Sequence, residues 1–229
     1  MPFSSPRRPA EMAESQIIEA ILDSTFPTNT SLPAERDLAL QLGVTRPTLR
    51  EALQRLNRDG WIEIRHGKST RVRDFWREGN LTILGTLARR QQPLSVDFIP
   101  NLLQIRTLLA PTYFSMSLRN EPLQVCEILK GYQDISNDPS EFTRLDWILH
   151  TQMTFLSGNP VFSLILNGFK DLYKTIGLQY FSNSIARDSS RAFYKNLLVL
   201  AAHRDYSGFE VETKRVMEDS VSLWRVASA

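Results

Sequence analysis

A chain of 229 residues, 42% hydrophobic and 23% charged, has room for two modest domains, and its composition is that of an ordinary soluble globular protein. Its one cysteine, Cys126, excludes an intrachain disulfide, and no apolar run approaches the roughly 20 residues of a membrane-spanning helix. The net charge is only +2 and the N-terminus lacks a secretion signal's apolar core, so a cytoplasmic protein without a membrane partner is expected. Residues 1–9, with three prolines and two arginines, read as disordered. A helix is expected from near Ala10, with Met12, Ile17, Ile18, Ile21 and Leu22 as its apolar face. Phe26 to Thr30 is a turn. Pro33 starts a second helix, for which Leu38, Leu40 and Leu42 supply apolar contacts, and Gly43 ends it in the conformation glycine tolerates best. Thr45 then caps a third helix, Pro47 falls in its first turn, and Leu49, Ala52, Leu53 and Leu56 recur at helical spacing. After Gly60, Trp61 to Ile64 alternates like a strand, Arg65-His66-Gly67-Lys68 is a polar turn, and Ser69 to Val72 returns as a second strand.

Helix, turn, helix and a basic-tipped hairpin closing at Arg73 make a winged helix-turn-helix, a unit that places its second helix in the DNA major groove. The charge distribution agrees. Residues 43–73 carry eight basic and three acidic side chains, or +5, while residues 1–42 carry three and six and residues 74–229 carry 16 and 16. A small total therefore hides one basic segment, which is the local field that gripping phosphates requires.

Asp74 to Asn80 reads as a boundary, with Phe75-Trp76 suggesting a packed joint. Beyond it only helical patterns occur, with spans expected at 81–91, 96–118, 121–135, 140–157, 160–182, 187–203 and 207–226. Short turns between them predict an antiparallel bundle. The expected fold is thus mainly α, with a winged helix-turn-helix over 1–73, a linker over 74–80 and an all-α antiparallel helical bundle over 81–229. Within the bundle, Arg106-Thr107 lies in mid-helix, and Asp146 and His150, four apart, share one helical face. Asn167, Tyr173, Tyr180, Ser220 and Trp224 add polar groups from other helices. Such groups either line a ligand cavity or form structural pairs such as Arg106 with Asp146.

The segment Leu32-Pro33-Ala34-Glu35-Arg36-Asp37-Leu38-Ala39, followed by Val44-Thr45-Arg46-Pro47-Thr48-Leu49-Arg50-Glu51-Ala52-Leu53, resembles the GntR-type transcription regulators. Gly60-Trp61, His66-Gly67-Lys68, Phe75-Trp76, Asn101-Leu102-Leu103, Arg106-Thr107, Ser157 to Pro160, Leu164 to Gly168 and Tyr180-Phe181 extend the likeness over nearly the whole chain, to the fatty-acid-responsive branch of that family. The resemblance implies a homodimer that binds double-stranded palindromic operator DNA and releases it on binding a long-chain acyl-CoA, with no cofactor besides that effector. It implies repression of fatty-acid degradation genes and activation of unsaturated fatty-acid synthesis genes. Carried over by position, Arg36, Arg46 and Arg50 contact the major groove, Thr45 and Thr48 bond phosphate or base edges, and His66, Gly67 and Lys68 form the wing tip, with His66 entering the minor groove. Pro47 departs from the branch, which has a threonine there, and Arg65 is an extra basic residue. The effector side carries over to Leu102, Arg106, Thr107, Asp146, Tyr180, Ser220 and Trp224. Met217 stands in place of a glycine and Lys214 in place of an arginine, and a methionine can either line or narrow a lipid tunnel.

Two other readings compete. Many GntR-type regulators bind a divalent metal through an Asp-x-x-x-His pair and two later histidines, and sense a small carboxylate. Asp146 and His150 match the first half, but Tyr194 and Val216 or Met217 stand where the later ligands would be, and His203 falls at a helix end, so no metal site is expected. An enzyme using Asp146 and His150 as an acid–base pair is disfavoured, because no nucleophile elbow, phosphate loop or complete metal set accompanies them.

Overall fold

Proline and a side-chain cap recur at the start of the helices. In the structure, a computed structural model describing residues 8–88 and 97–227, the chain divides into two units, residues 1–83 and residues 84–229. Most of the stretch read as disordered, and the last residues of the helix expected at 81–91, lie outside the described residues.

In the first unit, α1 (Pro9–Leu22) starts on a proline and buries Ala10, Ala13, Ile17, Ile18 and Ile21. Met12, expected on that face, is 50% exposed, since the alanines at 10 and 13 hold the inward positions one turn apart. Helix α2 (Glu35–Gln41) buries Leu38 and Ala39. Leu40 is 83% exposed, against expectation: residues two apart point to nearly opposite sides of a helix, so Leu38, Leu40 and Leu42 cannot share one face. Gly43 ends the turn at φ +66°. Helix α3 (Arg46–Asp59) is capped by Thr45, whose side chain accepts from the Thr48 N–H, and buries Leu49, Ala52, Leu53 and Leu56. It stops at Gly60, where φ is +93° and a Cβ would lie 3.2 Å from Gly79 Cα. Glycine is required there twice over, by conformation and by close approach.

The hairpin pairs β1 (Ile62–Glu63) with β2 (Arg71–Val72) antiparallel, with Ile62 opposite Val72 and Glu63 opposite Arg71. Its strands are shorter than the sequence predicts, and a third segment joins them: Ser31 bridges Arg71, and Leu32 N–H donates to Thr70 O at 2.8 Å. Residues 74–80 hold a short helical turn, α4 (Phe75–Glu78), and Phe75 stacks on the buried Trp61 with ring centroids 5.0 Å apart. Helix α5 (Thr82–Ala88) follows.

The second unit is a bundle of α6 (Phe98–Asn120), α7 (Pro122–Lys130), α8 (Pro139–Leu156), α9 (Pro160–Gly168), α10 (Lys170–Ser182), α11 (Ser184–Ala202) and α12 (Tyr206–Ala227). Helix α6 packs chiefly on α12 and also on α8, α11 on α12 and α7, and α10 on α8. Phe114, Phe142, Phe181, Phe193, Tyr194 and Phe209 form a fully buried aromatic centre. Asp138 and Asn159, each before a proline, and Asn183 accept from N–H groups of the following helix. The cap at Asn183 starts α11 three residues before the expected 187. Likewise α7 stops at Gly131, short of the expected 135. The single helix expected over 160–182 is two helices, because the chain turns at Phe169, which closes α9 through its N–H to Leu166 O at 2.9 Å and opens α10. Asn167-Gly168, just before that turn, is a breaker that the expectation of a single helix passed over. Among the described residues no helix is long and apolar enough to cross a membrane.

Candidate DNA-contact surface and effector cleft

The third helix turns its polar residues outward at its N-terminus. Arg46 and Arg50 are exposed, and Arg36, at the start of α2, has 82% of its side chain exposed. Arg50 Nε is 2.8 Å from Glu35 Oε2, which fastens the reading helix to the start of α2 and sets Arg50 beside Arg36. Thr45 Oγ1 and Thr48 Oγ1 are 2.8 Å apart at the mouth of α3. His66, Gly67 and Lys68 form the exposed wing tip, where Gly67 has φ +69°. Asn57, on α3, accepts from the Ile64 N–H at 3.1 Å and ties the wing to the reading helix. Neither Glu35 nor Asn57 was singled out in the sequence, because a positioning contact between separate elements leaves no periodic trace.

Besides Arg50, four of the eight basic side chains counted in this segment are paired with carboxylates within the fold. Arg55 pairs with Glu51 and Glu14, Arg58 with Asp59, and Arg65 with Glu63. Arg71 lies between Glu63, at 2.9 Å, and Glu78, at 2.5 Å, and also donates to Asn29. Hydrogen bonds from Arg65 and then Arg71 hold the Glu63 carboxyl down at about 2. Arg71 is thus a structural fastener of the hairpin and not a phosphate contact. Among the described residues Arg46 and Lys68 have no acidic partner, which leaves them most available to an anion.

In the helical unit, a cleft of about 890 Å³, counted to its open mouth, lies between α6, α9 and α10. Of the side chains carried over by resemblance, Leu102, Arg106, Tyr180 and Trp224 line it. Thr107 is turned to its own helix, donating to Leu103 O. Asp146 and Ser220 are buried behind the wall, where Ser220 accepts from Arg106 Nη2 at 3.0 Å and Arg106 Nη1 is 3.8 Å from Asp146 Oδ2. Met217 is buried in the core rather than lining the cleft. Most of the wall is apolar, with Phe162, Ile165, Leu166 and Phe169 from one side and Leu172 and Ile176 from another. Phe162, Ile165, Leu166 and Phe169 follow i, i+3, i+4, i+7 spacing, a signal present in the sequence but indistinguishable from a core stripe. Yet α9 buries none of its residues. Its apolar face meets the open cleft.

Behind one end of the cleft sits a buried polar cluster. Asp146 accepts from the Tyr173 hydroxyl and, at 2.6 Å, from Tyr194. Burial first, then the nearby Asp146, pushes both phenols far above their usual range, so both donate. His150, fully buried, receives the Tyr113 hydroxyl at Nδ1, and its Nε2 is 3.7 Å from Asp146 Oδ2. Burial, only partly offset by Asp146, pushes the imidazole down to about 4. A histidine with a lowered folded-state value stays neutral in the fold while the unfolded chain takes up a proton below about 6.5, so stability falls as pH drops from about 6.5 to about 4. Wild type is therefore expected to lose on the order of 3 kcal/mol relative to His150→Phe across that window, measured by urea unfolding at stepped pH. Equal pH dependence of the two proteins would show that His150 is protonated in the fold.

This cluster weighs against the competing metal reading. Asp146 is committed to two tyrosines, His150 Nδ1 to Tyr113, and Tyr194 is itself a donor to Asp146. His203 is exposed, with Nδ1 2.8 Å from Val199 O. Among the described residues no group of three or more His, Cys, Asp or Glu side chains could hold a metal ion.

Comparison with known proteins agrees with the geometry of both units. Residues 9–72 match the profile described as bacterial regulatory proteins, gntR family, and residues 73–228 match the FadR C-terminal domain. The "Fatty acid metabolism regulator protein" of Yersinia enterocolitica is 43% identical over 216 residues, covering 94% of this chain and 90% of its own. The protein of that name from Shewanella sp. strain MR-7 is 45% identical over 216 residues, with the same coverage of 94% and 90%. A solved structure of Lar, which controls expression of the Listeria monocytogenes agr system, shares the fold with a TM-score of 0.66 at 14% identity, covering 96% of this chain and 98% of that one. These relatives are regulators and not enzymes, which disposes of Asp146 and His150 as an acid–base pair, and the chain belongs to the FadR branch of the gntR family of bacterial transcription regulators.

Proposed function

We propose that this fatty-acid-responsive, DNA-binding transcription regulator takes a long-chain acyl-CoA into the helical cleft and releases its operator in response. The observation that carries the effector half is α9, a wholly apolar face with no buried residue, set against a cleft whose wall is otherwise nearly all aliphatic and aromatic. Such a surface suits an alkyl chain and not a small carboxylate. Arg106, Tyr180 and Trp224 would meet the chain directly, Leu102 would pack along it, and Thr107, Asp146 and Ser220 would hold the wall. No other cofactor is needed.

On the DNA side, Arg36, Arg46 and Arg50 would read base edges in the major groove, where the guanidinium fork bonds guanine O6 and N7 together. Thr45 and Thr48 would bond phosphates, and His66, Gly67 and Lys68 would carry the wing into the minor groove. A palindromic operator asks for a two-fold reader, hence a homodimer acting in the cytoplasm. The targets would be fatty-acid metabolism genes, in keeping with the names of its relatives, with degradation genes repressed and unsaturated fatty-acid synthesis genes activated. The ligand would shift a two-state equilibrium whose other state DNA prefers.

Anisotropy of a labelled palindromic duplex, titrated at fixed salt, tests both halves. Oleoyl-CoA should release the duplex, while coenzyme A and oleate should not. Arg50→Ala should weaken binding by about 5- to 150-fold, the worth of one bidentate base contact. A complex indifferent to oleoyl-CoA refutes the effector, and undiminished binding by Arg50→Ala refutes the reading helix.

A further inference from the structure

Two N–H groups at the polar end of the cleft have no acceptor. His150 Nε2 and Arg106 Nε are buried without a hydrogen-bond partner, and both residues line the cleft. The imidazole tautomer follows from its neighbours. Asp146 Oδ2 stands 3.7 Å from Nε2, too far for a hydrogen bond but near enough to favour a proton there over a lone pair. Nδ1 is then the acceptor and the Tyr113 hydroxyl the donor. The imidazole is neutral at ordinary pH, since burial outweighs Asp146, so Nε2 carries one N–H that Asp146, at 3.7 Å, is too far to accept. Arg106 uses Nη2 on Ser220 at 3.0 Å and turns Nη1 toward Asp146 at 3.8 Å, which leaves its Nε–H idle. Buried donors are ordinarily satisfied, so two idle donors on residues facing one apolar cleft need an acceptor from outside the chain.

We propose that His150 and Arg106 form an oxygen-reading end of the cleft, so that the preferred effector is an acyl-CoA whose chain itself carries a hydroxyl or keto oxygen. This rests on the acyl-CoA reading above and sharpens it. A plain alkyl chain would fill the aliphatic wall but leave both donors unpaired. A chain-borne oxygen accepts from one or both, and a site that hydrogen-bonds a ligand oxygen discriminates against the analogue lacking it. His150 is the determinant peculiar to this reading, because a phenylalanine of similar shape would make the same end wholly apolar.

The test measures affinity by calorimetry for palmitoyl-CoA, 3-hydroxypalmitoyl-CoA and 16-hydroxypalmitoyl-CoA, with wild type and with His150→Phe. At least one hydroxylated ligand should bind wild type about tenfold more tightly than palmitoyl-CoA, the worth of about one hydrogen bond. In His150→Phe that preference should vanish or reverse, with palmitoyl-CoA bound as tightly or more so. The His150 Nε2–H proton should shift and slow its exchange in NMR spectra only with the preferred hydroxylated ligand, a readout that a purely structural histidine would not give. The wild-type ranking stands even if the variant fails to fold. Palmitoyl-CoA binding wild type as tightly as both hydroxylated ligands overturns the oxygen-reading end and leaves the acyl-CoA effector standing. Binding of none of the three overturns the effector itself, and this proposal with it.

Discussion

Asp146→Ala is expected to cost the helical unit about 3–5 kcal/mol, the usual penalty for removing one partner of a buried charged cluster. Asp146 is 4% exposed, and it is the acceptor on which the buried Tyr194 and the half-buried Tyr173 converge. It also faces Arg106 Nη1 at 3.8 Å and His150 Nε2 at 3.7 Å. Its loss strands two phenolic O–H groups and leaves a guanidinium, 19% exposed, without its carboxylate. Water cannot easily reach Tyr194, because Tyr132 and Phe193, the latter backed by Phe114, pack on its ring. Asp146→Asn keeps one oxygen acceptor and should cost less, about 1–3 kcal/mol. Urea unfolding followed by far-ultraviolet circular dichroism gives both values. A loss below about 1 kcal/mol for the alanine variant would mean that solvent reaches the cluster and that the tyrosines satisfy themselves elsewhere.

Trp61→Ala should cost the first unit about 3–5 kcal/mol, as large-to-small changes at fully buried aromatics do. Trp61 is 1% exposed and stacks on Phe75. Its backbone is equally committed: its N–H returns to Leu56 O, closing α3, and its carbonyl accepts from the Arg73 N–H, closing the hairpin, each at 2.9 Å. The side chain therefore sits where the reading helix, the wing and the α4 turn meet, and a cavity there loosens all three. Trp61→Phe, which retains the stacking partner, should recover part of the loss. Thermal melting of the two variants, followed by circular dichroism, checks the order. Equal melting temperatures for wild type and Trp61→Ala would place the core of this unit elsewhere.

Local chemistry made the first unit legible. The Thr45 cap, the Gly60 stop and the spacing of Leu49, Ala52, Leu53 and Leu56 are all short-range signals, and each holds in the structure. Leu40 failed because Leu38, Leu40 and Leu42 were all expected to supply apolar contacts, and leucines two apart cannot share one face of a helix. The pairing of Ser31 with Arg71 could not be read, since it joins residues 40 apart and the strand is only a bridge. Net charge misled in a different way. Counting arginines gave a basic segment, but Arg71, Arg65, Arg58 and Arg55 each have a carboxylate in reach, and only the fold brings Glu63, Glu78 and Glu14 to them. In the second unit the structure shows Asp138, Asn159 and Asn183 capping their helices, whereas the turn at Phe169 follows Asn167-Gly168, a breaker that lay inside the expected span 160–182. The cleft lining was half visible: the polar members stood out against the bundle, and the aliphatic members looked like core.

The absence of any buried residue on α9 has a calorimetric consequence. While the cleft is open, water lies against Phe162, Ile165, Leu166 and Phe169, and that hydrated apolar surface raises the heat capacity of the unit. An alkyl chain that displaces the water lowers it, so the heat of binding should grow more exothermic with each degree of warming. The temperature dependence of that heat then reports how much of the α9 face the chain covers, independently of how tightly the polar end holds it.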